Sequence, residues 1–112
     1  MKNYLGIDLG GTNLRIAKFD EDMNILKVLR IETEVEKGVD QIIDKIVNGI
    51  NEIKDDNTIK IGISVPGQVD LETKEILVCT NISFKDVPLG KIIKEKCGLD
   101  IELNNDANVA AL

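Results

Sequence analysis

The chain has 112 residues, of which 43% are apolar and 30% charged, so its composition predicts one folded domain and excludes wholesale disorder. A net charge of −6 and an aromatic content of 3% argue against a nucleic-acid-binding protein, which needs basic patches and stacking side chains. The sequence contains neither a run of about 20 apolar residues nor a signal-peptide pattern, so we expect a cytoplasmic protein with no membrane partner.

The first third of the chain predicts three antiparallel strands, over residues 4–8, 13–19 and 25–31. Gly10 and Gly11 separate the first two strands. Because glycine tolerates the positive φ of a tight hairpin turn, we expect this pair to form such a turn.

The pattern then changes to a helical period, and the middle and end of the chain predict alternating helices and strands. Apolar side chains fall on one stripe of a helix over residues 39–53. A strand is predicted over 60–65, a second helix over 88–97, a strand over 101–103 and the start of a third helix over 107–112. In the second helix, Pro88 suits the first position and Gly98 the left-handed residue after the last turn. This order predicts an α/β domain with a mixed sheet. Because the chain stops inside a predicted helix, we expect it to be a fragment of a longer protein.

The sequence contains no histidine, and its two cysteines, Cys79 and Cys97, lie 18 positions apart. This pattern predicts two reduced thiols and no zinc site in this segment. Because the sequence contains no histidine, catalysis by a histidine-activated nucleophile is excluded. Carboxylates, hydroxyls, amides and the backbone remain as the chemical groups available.

The segment from Gly6 to Thr12 is the first candidate site. Its glycine pair leaves backbone N–H groups unobstructed, and such a turn binds phosphate oxygens. Thr12 adds a hydroxyl, and Asp8, at the end of the first strand, is placed to hold Mg²⁺ through water beside a polyphosphate. Thr12 stands where a P-loop has lysine, and no GxGxxG motif is present. The alternative interpretation is an ordinary Gly-Gly hairpin with a surface aspartate.

Three further segments carry polar or glycine residues at predicted turns. Gly67 follows a strand and Pro66, and lets a ligand approach the backbone closely. Asn81 offers both a donor and an acceptor to a sugar hydroxyl. Asn105 and Asp106 lie where a strand meets a helix, and Asp106 suits the role of proton acceptor in phosphoryl transfer. The alternatives are turn-forming residues at the first two segments and a helix cap at the third.

In this order and spacing, the four segments resemble those of the sugar kinases of the ROK family (repressor, open reading frame, kinase), which belong to the actin-like ATPase superfamily with its ribonuclease H-like fold. The resemblance covers essentially all 112 residues. It implies that Asp8 and Gly10 to Asn13 bind the phosphates of ATP and its Mg²⁺. It further implies that Gly67, Asn81 and Asn105 bind the sugar. Asp106 is implied to bind the sugar as well and to act as the catalytic base.

The resemblance also implies what lies outside this chain. The chain is similar to the N-terminal lobe of a two-lobe kinase, so residues 1–112 are expected to form that lobe without its C-terminal partner. The histidine and glutamate sugar ligands and the structural zinc site of the family have no counterpart here, and the isolated chain is expected to be inactive. The complete protein is expected to be a homodimer that phosphorylates a hexose or N-acetylhexosamine, at the 6-hydroxyl for a glucokinase-like enzyme.

Two features depart from the family pattern, and two other functions remain open. Thr80 precedes Asn81 where the family has proline, and Ser83 and Phe84 replace a proline and often a tryptophan, so the rim of the sugar pocket is expected to differ. The alternatives are a sugar-sensing transcriptional regulator of the same family and an actin-like ATPase that does not phosphorylate sugars. Arg15 is expected only to decorate a strand surface.

Overall fold

The computed structural model describes residues 2–65, 67–70, 72–79 and 82–105. The strands are β1 (Asn3–Leu9), β2 (Asn13–Phe19), β3 (Ile25–Glu32), β4 (Thr58–Val65), β5 (Gly67–Asp70), β6 (Glu75–Cys79), β7 (Ile82–Val87) and β8 (Ile101–Asn105). The helices are α1 (Val39–Ile53) and α2 (Leu89–Cys97), and a single 3-10 turn spans Val35–Lys37.

Five strands form a mixed sheet in the order β3-β2-β1-β4-β8. The pairs β1–β2 and β2–β3 are antiparallel, whereas β4 pairs with both β1 and β8 in parallel. The predicted antiparallel meander followed by crossover helices is therefore confirmed. Parallel neighbours need a long crossover connection, and helices α1 and α2 lie in the connections that lead into β4 and β8.

The core lies between one face of this sheet and the two helices. The apolar stripe of α1 is buried as its 3.6-residue period predicts, and its buried residues are Ile42, Ile43, Ile46, Val47, Gly49, Ile50 and Ile53. Alternate residues of β1, which are Leu5, Ile7 and Leu9, are buried against this layer. The intervening residues of β1 are half-buried or exposed, so the polar positions of the sheet lie on its other face.

A second sheet, which the sequence analysis missed, interrupts the α/β alternation. Strands β5, β6 and β7 form a three-stranded antiparallel sheet between β4 and α2. Ile76 of β6 is fully buried in the common core, while its neighbour Leu77 is 39% exposed. The strands have only four to six residues each, so their alternation is too short to be distinguished from a loop.

The second helix and the last strand differ slightly from their predicted bounds. Pro88 is the N-cap of α2 rather than its first helical residue, and Gly98 has the left-handed conformation that the sequence predicts, with φ 75°. Strand β8 continues to Asn105, two residues beyond its predicted end. The predicted third helix over 107–112 lies outside the described residues. None of the described helices is long and apolar enough to cross a membrane.

Candidate functional site

The carboxyl ends of three parallel strands meet at one edge of the five-stranded sheet. Asp8 of β1 is in register with Ser64 of β4, and Ser64 is in register with Asn104 of β8. One residue further along, Val65 pairs with Asn105. In open α/β sheets, ligands bind outside the carboxyl ends of the strands. This edge is therefore the candidate site.

Each of these strand ends leads into a segment that the sequence analysis selected. The loop of residues 10–12 follows β1, and Gly67 lies two residues after the end of β4. Gly67 opens β5 and pairs with Cys79 at the end of β6. Asn105 is the last residue of β8. Pro66, Asn81 and Asp106, together with Thr80, lie outside the described residues.

The loop between β1 and β2 is closed by a backbone hydrogen bond from the N–H of Gly10 to the carbonyl oxygen of Asn13, at 3.0 Å. A Cβ on Gly10 would lie 2.8 Å from that same carbonyl oxygen, closer than two such atoms can approach. The φ of Gly10 is outside the left-handed region. For Gly10, the prediction that glycine is needed to adopt positive φ is therefore wrong, and the close approach of the Asn13 carbonyl is what excludes a side chain.

Thr33, which the sequence analysis did not select, holds the loop from its other side. Its hydroxyl donates a hydrogen bond to the carbonyl oxygen of Gly10 at 2.8 Å, and its N–H donates to the carbonyl oxygen of Thr12 at 2.9 Å. The Thr33 side chain is completely buried. A single residue after β3 thus binds both ends of the loop segment from Gly10 to Thr12.

The residues around Thr33 are anchored to helix α1. The ammonium of Lys45 donates to the backbone carbonyl of Glu32 at 2.6 Å and also forms an ion pair with the Glu34 carboxylate. Lys37 forms a second ion pair with Glu34, at 2.8 Å. These hydrogen bonds, from Lys37 first and then Lys45, lower the pKa of the Glu34 carboxyl to about 2. The segment that carries Thr33 is therefore tied to helix α1.

Asp8 and Arg15 face each other across the antiparallel pair β1–β2. The guanidinium of Arg15 lies 4.0 Å from the Asp8 carboxylate, and both side chains are more than half exposed. An ion pair this long and this exposed contributes little to stability. Arg15, expected only to decorate a strand, instead contacts the proposed magnesium ligand.

The surroundings of Asp8 fit a magnesium ion that is bound together with phosphates. Within the described residues, no three histidine, cysteine or acidic side chains cluster as a complete metal cage would require. Mg²⁺ in phosphate sites typically uses one or two carboxylates and takes its other ligands from water and phosphate oxygens. An accessible carboxylate at the end of β1, directly before a glycine loop, meets this requirement.

Comparison with known proteins places this chain and its fold in one family. The family profile described as "ROK family" matches residues 4–112. The chain belongs to the ROK family. The five-stranded sheet with its two helices is accordingly the ROK version of the actin-like ATPase fold, as the sequence predicts.

Relatives of this ROK chain are named sugar kinases. The glucokinase of Thermotoga maritima is 34% identical over 110 residues, which cover 96% of this chain and 35% of that protein. The N-acetyl-D-glucosamine kinase of Aliivibrio fischeri is 31% identical over 111 residues, covering 97% of this chain and 36% of that protein. The chain therefore spans about a third of the length of these relatives.

Solved structures in the ROK family have the same fold. A ROK family glucokinase from Streptomyces griseus, in complex with glucose and AMPPNP, matches with a TM-score of 0.86 at 29% identity, over 97% of this chain and 35% of that one. A ROK family transcriptional regulator, a homologue of the E. coli MLC protein, also matches with a TM-score of 0.86, at 24% identity, over 97% of this chain and 29% of that one. The second match shows the shared fold alone.

Proposed function

We propose that this chain is the N-terminal lobe of an ATP-dependent sugar kinase that transfers the γ-phosphoryl group of ATP to a hexose hydroxyl. The observation that carries the proposal is the convergence of the 10–12 loop, Gly67 and Asn105 at the carboxyl edge of the sheet. These segments are far apart in the sequence, and a kinase needs its phosphate and sugar sites side by side. The named relatives, which phosphorylate glucose or N-acetylglucosamine, support the same class of substrate.

In this proposal the loop after β1 binds the phosphates of ATP. The Gly10 N–H already binds the Asn13 carbonyl oxygen, so the candidate donors to phosphate are the N–H groups of Gly11 to Asn13 and the Thr12 hydroxyl. Thr12 and Asn13 are exposed. Asp8 holds Mg²⁺ through water. When bound, that ion neutralises charge on the β- and γ-phosphate oxygens. The Arg15 guanidinium lies 4.0 Å from the Asp8 carboxylate and adds a positive charge beside the proposed phosphate site.

The sugar lies beside the phosphates, against Gly67, Asn81 and Asn105. The Asp106 carboxylate accepts the proton of the attacking hydroxyl, which we assign to the sugar 6-hydroxyl. A bond forms between that oxygen and the γ-phosphorus, while the bond from the γ-phosphorus to the bridging oxygen breaks and ADP leaves. Because the transition state of phosphoryl transfer is loose, positioning the two reactants contributes most of the catalysis.

The complete enzyme needs a second lobe to close over both substrates. The chain covers about a third of the glucokinase that it resembles, and closure of a kinase over its substrates excludes water from the reaction. We also propose that the complete protein is a homodimer, that its structural zinc lies in the second lobe and that it is cytoplasmic. Light scattering and metal analysis of the complete protein test the first two points.

The decisive experiment measures ADP release from Mg-ATP by the protein expressed from its complete reading frame, in the presence of a panel of hexoses and N-acetylhexosamines. Asp106→Asn is expected to reduce sugar-dependent turnover by about 100-fold or more, because the proton acceptor is lost, while sugar binding persists. Asp100→Asn is the matched control: this carboxylate lies before β8, at the opposite end of the strand, and pairs with Lys94. Full activity in Asp106→Asn would contradict the proposed base.

A sugar-sensing regulator is the second candidate, because a ROK transcriptional regulator has this fold with the same TM-score as the glucokinase. Such a protein binds sugar but releases no ADP in response to it. A non-kinase ATPase, in contrast, releases ADP whether or not sugar is present. The same panel, combined with calorimetric sugar binding, therefore separates all three functions.

A further inference from the structure

Three buried polar side chains stand out among the described residues: Asn3, Thr33 and Thr58. Asn3 and Thr58 bind each other, because the Thr58 hydroxyl donates to the Asn3 side-chain oxygen at 2.5 Å. Thr33 has a different kind of partner, since its hydroxyl and its N–H both bind carbonyl oxygens of the loop after β1. A buried hydroxyl that serves only a surface loop indicates a role in shaping that loop.

The geometry of the peptide bond determines what these two hydrogen bonds do. In a trans peptide, the carbonyl oxygen of one residue and the N–H of the next point in opposite directions. Because Thr33 binds the carbonyl oxygen of Gly10, the N–H of Gly11 is directed away from Thr33. No acceptor among the described residues takes this N–H in a backbone hydrogen bond. Gly11 also has no side chain that would shield it from a ligand.

Both neighbours of Thr33 in the chain are tied to helix α1. Glu34, the next residue, has a left-handed backbone with φ 55°. It is held there by ion pairs with Lys37, one turn along the chain, and with Lys45 on α1. Lys45 also binds the carbonyl of Glu32. Thr33 is thus anchored on both sides.

We propose that Thr33 is a positioning residue for nucleotide phosphate: by binding the Gly10 and Thr12 carbonyls, it presents the Gly11 N–H to the phosphate oxygens. This inference rests on the proposed function. Thr33 itself does not touch the nucleotide. Its loss acts on the affinity for the nucleotide and not on the proton transfer to the base.

The test uses Thr33→Val in the protein expressed from its complete reading frame. Valine has nearly the shape of threonine but no hydroxyl, so the Gly10 carbonyl loses its partner and the peptide is free to turn. We expect the Kd for Mg-AMPPNP and the KM for ATP to rise about tenfold, with the KM for sugar changed less than about twofold. Thr33→Ser keeps the hydroxyl and is expected to restore nucleotide affinity to within about twofold of the wild type.

Thr58→Val is the matched control. It also removes a buried threonine hydroxyl, but at the amino end of β4, seven residues or about 23 Å from the candidate site. We expect it to lower the melting temperature without weakening nucleotide binding. If Thr33→Val does not fold, Thr33→Cys replaces it, because a thiol is a much weaker donor and the same rise in Kd is expected.

The outcomes separate this inference from the proposed function. Wild-type protein that binds no Mg-AMPPNP overturns both. Wild-type binding that Thr33→Val leaves unchanged overturns only the positioning role, as does an equal loss of affinity in Thr58→Val. A rise in Kd that Thr33→Ser does not rescue also contradicts it, because the hydroxyl would then not be the group responsible.

Discussion

At the scale of single residues, backbone contacts made between distant segments determine the candidate site. Gly10 is needed because the Asn13 carbonyl lies against it, and Thr33 is buried because two loop carbonyls require a donor. The sequence signal for Thr33 was a hydroxyl residue directly after a strand, which is equally typical of a helix cap. Nothing in its local sequence points to a loop 23 residues earlier. The glycines and Asp8, in contrast, were visible as a local motif.

Asp55 gives a prediction at this scale, because it joins the end of α1 to the start of β1. Its carboxylate accepts hydrogen bonds from the side chains of Asn3 and Lys18, both at 2.9 Å, and from the N–H of Asn57 at 2.8 Å. These contacts, in that order, hold the pKa of Asp55 well below its ordinary value of 3.8. A carboxyl whose pKa is lowered on folding stabilises the protein above its unfolded pKa, and this contribution is lost as the pH falls towards the folded pKa.

We therefore expect Asp55→Asn to lower the melting temperature at pH 7, with the difference from wild type shrinking as the pH falls below about 4. Thermal unfolding followed by circular dichroism, at pH values from about 2 to about 7, measures this difference in melting temperature. Asp56→Asn, at the adjacent exposed carboxylate, is the control and is expected to have little effect. An Asp55 variant whose difference from wild type is the same at every pH would contradict the argument.

At the scale of secondary-structure elements, the predictions were good wherever one period persisted over a long stretch. The bounds of α1 agree at both ends with its apolar stripe, and β2 was predicted to the residue. The small sheet β5–β7 was missed because its strands are short and its hairpins contain few turn-specific residues. Its stability comes from packing, as Ile76 is buried in the main core and β6 and β7 lie beside the helices. A short stretch of sequence does not reveal these contacts with distant parts of the chain.

The contact between α2 and the β5–β6 connection gives a prediction for this scale. The N–H of Gly90 donates to the carbonyl oxygen of Lys74 at 3.0 Å, and a Cβ on Gly90 would lie 2.5 Å from the Cβ of Lys74. Gly90→Ala must therefore separate α2 from the small sheet. We expect a loss of about 1–3 kcal/mol in the free energy of unfolding, measured by urea denaturation.

Gly62→Ala is the matched control for Gly90→Ala. Gly62 lies in β4 with open space where a Cβ would be, so its change to alanine is expected to be neutral or slightly stabilising. If both variants lose the same stability, the close approach between Gly90 and Lys74 is not the cause.

At the scale of the whole molecule, the parallel arrangement of β1, β4 and β8 brings the separate motifs to one edge. The chain spans about a third of its relatives' length, and the proposed kinase mechanism needs a second lobe. We expect the isolated 112-residue chain to fold, as judged by a cooperative thermal transition, and to release no ADP in response to sugar. The protein from the complete reading frame is the positive control. Sugar-dependent turnover by the isolated chain would contradict the two-lobe mechanism.

The sequence by itself determined the local features of this protein: the amphipathic helix α1, the strands of the main sheet, the left-handed Gly98 and the four motifs whose order indicates the ROK family. These features depend on side-chain period and on the conformational limits of single residues, which a linear pattern contains. Only the tertiary structure revealed the Thr33 hydrogen bonds, the Asp8–Arg15 pair and the small sheet. Each of these depends on which distant segments meet in space, and chain folding, not local preference, decides that.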